Sequence, residues 1–300
     1  SHLTKGGIRG TETYFRLIAI EEPEAHLHPH LQDHLAANIE GVQKESGGNM
    51  QFLLTSHSTH VACKLDMVNT VVLFPDQNGT VGSHYILAGM HGREDRHSVR
   101  YLRKYVDATK SRMFFARKLI LVEGIAEQIL VPVFFLMRHG ISIEQAGCNV
   151  INVNGVAFRH FLRIVQNGFF LRCSVLTDAD TGTRTEGRAA ALKREFDQSR
   201  LIRVEITDDS TFEKDLLAAN RTGRGRDYLA CALRMSKPGV GVEDIRTVSE
   251  PQIDVDLFFA RIQDCKSEFA FNLAHRLTRE KDNSVFKVPE YVQRALDFVK

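Results

Sequence analysis

From Lys118 onward, short apolar runs alternate with stretches of helical spacing. The runs are "KLILV", "CNVINVNG", "RCSVLTDAD" and "IRVEIT". The separating segments are residues 126–139, "FRHFLRIVQNGF" and "GRAAALKREF". Apolar runs of this length, bounded by glycine and polar residues, read as buried strands. Strands that alternate with helices need crossover connections, which yields a largely parallel sheet. The fold class is therefore α/β, a mostly parallel sheet flanked by helices.

The chain before this unit repeats the pattern on a smaller scale. "FRLIAI" (15–20) reads as a buried strand, and "HLQDHLAANIEGVQKE" as an amphipathic helix with Leu31, Leu35, Ile39 and Val42 on one face. "MQFLLTSHS" (50–58) reads as a second buried strand. "NTVVLFPD" and "GTVGSHYIL" form a closing ribbon around the turn signal "DQNG". These boundaries divide the chain into residues 1–92, a charged helical connector 93–116, an α/β core 117–215 and a helical appendage 216–300. Within the appendage "RTGRGRD" (221–227) reads as a basic loop. Arg221, Arg224 and Arg226 there are candidates for DNA phosphate contacts, although a solvated loop explains them equally well.

Bulk composition excludes more than it assigns. Net charge is +2, from 39 Lys and Arg against 37 Asp and Glu, so nucleic-acid binding must rest on local patches. No apolar run is long enough to span a bilayer, and no membrane partner is expected. Five scattered cysteines without a CxxC pair argue against a disulfide framework or structural zinc, and favour the cytoplasm.

Two clusters of residues carry chemistry. In "LIAIEEPEAHLHPHLQ" (17–32), Glu21 and Glu22 follow an apolar run in the form of a Walker B element. There one carboxylate faces Mg²⁺ and the other polarises water. His57, in "LLTSHS", lies thirty-five residues after Glu22, at the end of the next strand. It either contacts the same phosphate or serves only as a structural histidine. A zinc site from Glu24, His26, His28 and His30 is the weaker alternative, because Pro23 and Pro29 interrupt any strand. No G-x-x-x-x-G-K-[ST] cradle occurs, and "KGGIRG" (5–10) has no strand before it. The stretch reads as half of a nucleotide site.

The second cluster is "LILVEGIAE" with "VLTDADTGT" fifty-five residues on. Glu123 stands just beyond a strand, with Gly124 allowing a sharp turn, and Glu127 follows one helical turn later. Asp178 and Asp180, two apart at a strand end, project to the same side. Open α/β sheets bind ligands at the carboxyl ends of their strands, so four carboxylates would meet at one mouth. Such a cluster calls for a cation, and oxygen ligands without cysteine favour Mg²⁺ or Mn²⁺. That chemistry suits phosphoryl transfer assisted by two metals. Each residue also has a plainer reading. Glu127 can be a solvated carboxylate, and Asp178 and Asp180 can cap a turn with Thr181 and Gly182; further along, Glu213 at an acidic helix start and Lys266 read by themselves as surface residues.

These motifs resemble known families. The first cluster resembles the C-terminal lobe of an ABC-type ATPase, and "VEG" followed by a D-x-D resembles a Toprim domain. The two in succession resemble the OLD (overcoming lysogenization defect) family of nucleases, C-terminal region, through "FFARKLILVEGIAEQILVP", "VLTDAD" and "TFEKDLL". That resemblance implies a divalent-metal-dependent DNA endonuclease. Glu123, Glu127, Asp178, Asp180 and Glu213 would be metal ligands, with Asp215 the weaker candidate. Lys266, in "CKSEFAFNLA", would stabilise charge on the scissile phosphate, with Lys281 and Lys287 as alternatives.

The resemblance further implies two Mg²⁺ or Mn²⁺ ions, with Ca²⁺ binding but not supporting cleavage. ATP and homodimer formation would belong to the full-length protein, and this chain would cut DNA without ATP. A non-catalytic DNA- or metal-binding module is the alternative. A primase- or topoisomerase-like activity is weaker, since none of the six tyrosines has a recognisable nucleophile context.

Overall fold

The computed structural model describes residues 14–75, 78–155, 157–166, 169–197, 200–239, 252–280 and 284–300. "KGGIRG" and Lys281 lie outside the described residues. The chain separates into two compact units, one of residues 1–70 with 106–111 and one of residues 71–105 with 112–300.

In the first unit β1 (Arg16–Glu21) and β2 (Met50–Thr55) pair in parallel, with Glu21 opposite Thr55. They are joined by α1 (Pro29–Glu45), and β2 is followed by α2 (Thr59–Lys64). Pro29 occupies the first turn of α1, where its missing N–H has no intrahelical role. His28 caps the helix by accepting the His30 N–H. The two strands are not buried on both faces, as their apolar runs predict. Leu17 and Leu53 are each 61% exposed. A two-stranded sheet offers two faces, and the helix covers only one. In α1 the buried positions are Ala36 and Ile39, while Leu31 and Val42 are exposed.

The second unit opens with the antiparallel ribbon β3 (Val71–Pro75) and β4 (Val81–Tyr85). The sequence pattern groups this ribbon with the chain before it, whereas its packing lies with the chain after it. The Arg117 guanidinium sits 4.2 Å over the Phe74 ring, which also packs edge-on against Phe169. Helix α3 (Arg93–Tyr105) follows.

The central sheet is four parallel strands in the order β6-β5-β7-β8. They alternate with helices in chain order: β5 (Lys118–Val122), α4 (Ile125–His139), β6 (Cys148–Asn152), α5 (Phe158–Val165), β7 (Arg172–Thr177), α6 (Arg188–Phe196) and β8 (Ile202–Ile206). Strand β5 is buried almost throughout, because both faces are covered. Among the described residues, the helices that follow are α7 (Phe212–Ala219), α8 (Gly223–Ser236), α9 (Val255–Ile262), α10 (Lys266–Arg279) and α11 (Glu290–Val299). The appendage is not a separate layer. Helix α10 packs on α4 and α8, and α11 packs on β7 and β8. Phe134, Phe269, Leu273, Tyr291 and Leu296 are fully buried in one core. Each such side chain contributes about 1.5–3 kcal/mol of transfer free energy.

The segment 221–227 is not a loop throughout. Gly223 begins α8, so Arg224 and Arg226 lie in its first turn, and Arg226 pairs with the neighbouring Asp227. No helix among the described residues is long and apolar enough to cross a membrane.

Candidate active site

Strand order creates the site. Val122 of β5 is level with Leu176 of β7, so Glu123 stands beside Thr177 where the two strands end. The Glu123 carboxylate accepts the Thr177 hydroxyl at 3.1 Å and the Asp178 N–H at 3.3 Å. The separation of fifty-five positions between Glu123 and Asp178 is thus closed by the sheet itself.

Glu127 is 5% exposed, so it is not a solvated helix carboxylate. Burial pushes its carboxyl up to about 8, and the charges of Asp178, Glu213 and Glu123 push the same way. Gly124, with φ −137°, is in ordinary extended backbone, so its role is not the sharp turn that the sequence predicts. Its role is spatial. A Cβ at this position would lie 3.0 Å from Glu127 Oε2.

Asp178 accepts the Phe212 N–H at 2.9 Å, which ties it to the start of α7. Burial, reinforced by Glu123 and Glu213, pushes its carboxyl up to about 7, while Lys266 and the Phe212 N–H oppose this. Asp180 reaches the site by a route the sequence does not show. Strand β7 ends at Thr177, so strand alternation does not extend to 180. Asp180 adopts left-handed backbone (φ 54°), and its N–H bonds the Ser210 carbonyl. Its carboxylate is then held by Arg188, whose Nη2 lies 2.9 Å from Asp180 Oδ2 and 3.2 Å from Glu123 Oε1.

Glu213 is buried rather than a surface residue, and its Oε1 lies 3.0 Å from Lys266 Nζ. The two sit on the first turns of α7 and α10. Asp215 is placed differently. Both its oxygens accept backbone N–H groups, from Asp208 at 2.7 Å and Asp209 at 2.9 Å, so it shapes the turn before α7. Lys287 is fixed through its backbone by Asn220.

The negative charges of Glu123 and Glu213 therefore add to burial in holding the carboxyls of Glu127 and Asp178 above their ordinary range, and Lys266 and Arg188 pair with Glu213 and Glu123. Among the described residues no three acidic, histidine or cysteine side chains converge closely enough to hold an ion as they stand. The donor set nevertheless fits a hard divalent cation, being all oxygen with two buried carboxyls held above their ordinary range.

In the first unit His57 Nε2 lies 3.4 Å from Glu22 Oε1, both side chains being substantially exposed. Glu22 itself has left-handed backbone (φ 42°). Glu24 is buried and accepts the Ser56 hydroxyl and the His57 N–H, which makes it a tether between the two strand ends. His28 is the α1 cap, and His30 packs edge-on against His34.

Comparison with known proteins agrees with the pairing of units. Residues 114–180 match the model for the overcoming lysogenization defect protein-like TOPRIM domain. This stretch is similar to an OLD-like TOPRIM domain. Residues 8–62 match an AAA ATPase domain model. The chain is 23% identical over 220 residues to Endonuclease GajA of Bacillus cereus (strain HuB5-5), covering 66% of this chain and 30% of that protein. It is 22% identical over 164 residues to the Old nuclease of Escherichia phage P2, covering 55% and 28%. It thus spans less than a third of the length of these curated relatives. Solved structures similar to it include the C-terminal regions of two OLD proteins. That of Xanthomonas campestris pv. campestris is 26% identical, covers 63% of this chain and 94% of that one, and has a TM-score of 0.46. That of Burkholderia pseudomallei is 23% identical, covers 62% and 97%, and has a TM-score of 0.46.

Two residues of the OLD-like unit escape the sequence motifs. Arg188 opens α6, and its Nε and Nη1 are buried without a hydrogen-bond partner among the described residues. The available signal is its place, since a cation at a helix N-terminus opposes the helix dipole and needs carboxylates elsewhere. Tyr291 is fully buried, and its hydroxyl has no hydrogen-bond partner among the described residues. Burial raises its phenol well above the usual value, and the charges of Asp215, Asp178 and Glu127 add to this. Nothing in the sequence around Tyr291 marks it.

Proposed function

We propose that this chain is the nuclease-bearing part of an OLD-type protein and hydrolyses phosphodiester bonds of DNA. The observation that carries this reading is the set of buried, mutually repelling carboxylates at the ends of β5 and β7. In it, burial lifts Glu127 to about 8 and Asp178 to about 7. Carboxyls so placed gain most from a divalent cation.

Glu123, Glu127, Asp178, Asp180 and Glu213 would hold two Mg²⁺ or Mn²⁺ ions. When bound, these supply an activated water and neutralise the leaving oxygen. Lys266, paired with Glu213 at 3.0 Å, would stabilise charge on the scissile phosphate. Thr177 and the Asp178 N–H orient Glu123, and the α7 start orients Asp178. Asp215 acts through the 208–209 turn rather than as a ligand. Glu21, Glu22 and His57 belong to an ATP site that functions only in the full-length protein, where homodimer formation also belongs. Cleavage by this chain then needs no ATP. The five free cysteines support a reducing cytoplasm.

The test is supercoiled plasmid with Mg²⁺ or Mn²⁺. The chain is expected to nick it, and Glu123→Ala/Asp178→Ala to leave it intact. A double variant that nicks as well as the parent would sink the assignment. A second reading, a non-catalytic metal- or DNA-binding module, draws on the Arg188 bridge, which already neutralises Glu123 and Asp180. Calorimetric binding of two ions without any nicking would support it.

A further inference from the structure

Helices α3 and α5 enclose a cavity of 840 Å³ lined by Arg93, Arg96, Arg100, Arg159, His160 and Arg163, among others. In a chain of net charge +2 this is a marked concentration of cations. Helical spacing arranges it. Arg93, Arg96 and Arg100 lie three and four residues apart on α3, and Arg159 and Arg163 lie four apart on α5, so each set shares a face.

The acidic residues here have structural work. Arg163 pairs with Glu94, and with Asp95 and Glu195 at 3.3 Å each, while Arg159 pairs with Glu195 at 2.6 Å. His160 Nδ1 lies 2.9 Å from the Ser98 hydroxyl, and its ring stacks on Tyr101 at 4.3 Å. These contacts fix α5 against α3. The other α3 arginines are left with little compensation. Arg96 touches only the His91 carbonyl, at 3.2 Å, and Arg93 and Arg100 have no acidic partner among the described residues.

One residue is common to this cavity and to the neighbourhood of the carboxylates. Arg159 lines a second, smaller cavity of 120 Å³ together with Thr177 and Arg188, the residues that hold Glu123. We propose that the α3–α5 cleft binds the phosphate backbone of duplex DNA and leads it to the carboxylate site. This proposal rests on the nuclease reading for the identity of the polyanion. Arg93 and Arg100 are about 10 Å apart along α3. That distance exceeds the spacing of neighbouring phosphates on one strand, so the arginines act as a positioning row rather than a single-anion pocket.

The test uses the chain in EDTA with a fluorescently labelled blunt duplex, read by anisotropy over a salt series. Arg93→Ala/Arg96→Ala/Arg100→Ala removes exposed side chains outside the core, and an unchanged thermal melt checks the fold. The triple variant is expected to bind about tenfold or more weakly, with a log–log salt slope shallower by about 2.5 to 3. Equal affinity and slope in parent and variant would overturn the cleft assignment, whatever the plasmid assay shows. Absence of duplex binding by the parent would overturn it too. Displacement of the duplex by micromolar nucleoside triphosphate would assign the cleft to a nucleotide and overturn a backbone role. The nuclease reading fails separately, if the parent binds duplex but does not nick plasmid with Mg²⁺ or Mn²⁺.

Discussion

Lys266 Nζ lies 3.0 Å from Glu213 Oε1, so the first residue of α10 holds a carboxylate on the first turn of α7. A lysine at a helix N-terminus opposes the dipole there. Its placement makes sense through the carboxylates that face it. Lys266→Met is expected to lower plasmid nicking by about 100- to 1,000-fold, the scale of one lost charge-stabilising donor. Calorimetric affinity for Mn²⁺ should hold or increase, because a competing cation is gone. Weaker metal binding in step with activity would assign Lys266 a structural role instead.

Arg188 performs the corresponding task on the other side, bridging Glu123 and Asp180. Both ends are about one-fifth exposed, so the bridge is worth less than a fully buried pair. Arg188→Ala is predicted to cost about 1–2 kcal/mol in EDTA, seen as a lower melting temperature. Mg²⁺ should restore more of that loss than it adds to the parent. A variant with the parent's melting temperature in EDTA would show that the bridge carries no stability.

Protonation follows from the same cluster. Both carboxyls are raised in the fold, to about 8 for Glu127 and about 7 for Asp178, so the folded state holds protons that the unfolded chain has released. Their contribution to stability is full below the ordinary carboxylate range and is lost as pH rises through about 7 to 8. In EDTA the melting temperature should therefore fall between pH 6 and pH 9. Metal ligation expels the protons, so Mn²⁺ affinity should rise over that window, with release of about one proton at pH 7. Calorimetry in buffers of different ionisation enthalpy reads this number, and release of none would contradict the burial of these groups.

Gly124→Ala tests the packing beside Glu127. The added methyl would lie 3.0 Å from Glu127 Oε2 in unstrained backbone, so the carboxylate must shift by a few tenths of an ångström. Metal affinity should fall while the melting temperature in EDTA stays close to that of the parent. A large stability loss with intact metal binding would mean that the backbone, not the carboxylate, yields.

The alternation of β5 to β8 with their helices is legible in the sequence because the central strands β5 and β7 are buried and read as near-continuous apolar runs, while the edge strands β6 and β8 carry Asn149, Asn152, Arg203 and Glu205 among their apolar residues. The same logic fails for β1 and β2, where Leu17 and Leu53 are as apolar as core residues yet lie exposed. Apolar content does not say which face is covered. Glu123, Glu127 and Asp178 are legible because strand ends and a helix start concentrate them, whereas Glu213 is pointed to only by the resemblance of "TFEKDLL". Arg188 and Tyr291 are not, since each arrives from an element whose local pattern is that of an ordinary helix. Asp180 shows a subtler limit. Two-residue spacing predicts a shared side only within a strand, and β7 ends three residues earlier.

The central claim, that the carboxylates ending β5 and β7 are a divalent-cation site, is tested most directly by a crystal structure of the chain soaked in Mn²⁺ with anomalous diffraction. Two Mn²⁺ peaks among Glu123, Glu127, Asp178, Asp180 and Glu213 are predicted, with Arg188 withdrawn from at least one of its two carboxylates and Asp215 still on its turn. Full Mn²⁺ occupancy elsewhere, with no peak at these side chains and the Arg188 bridge intact, would contradict it.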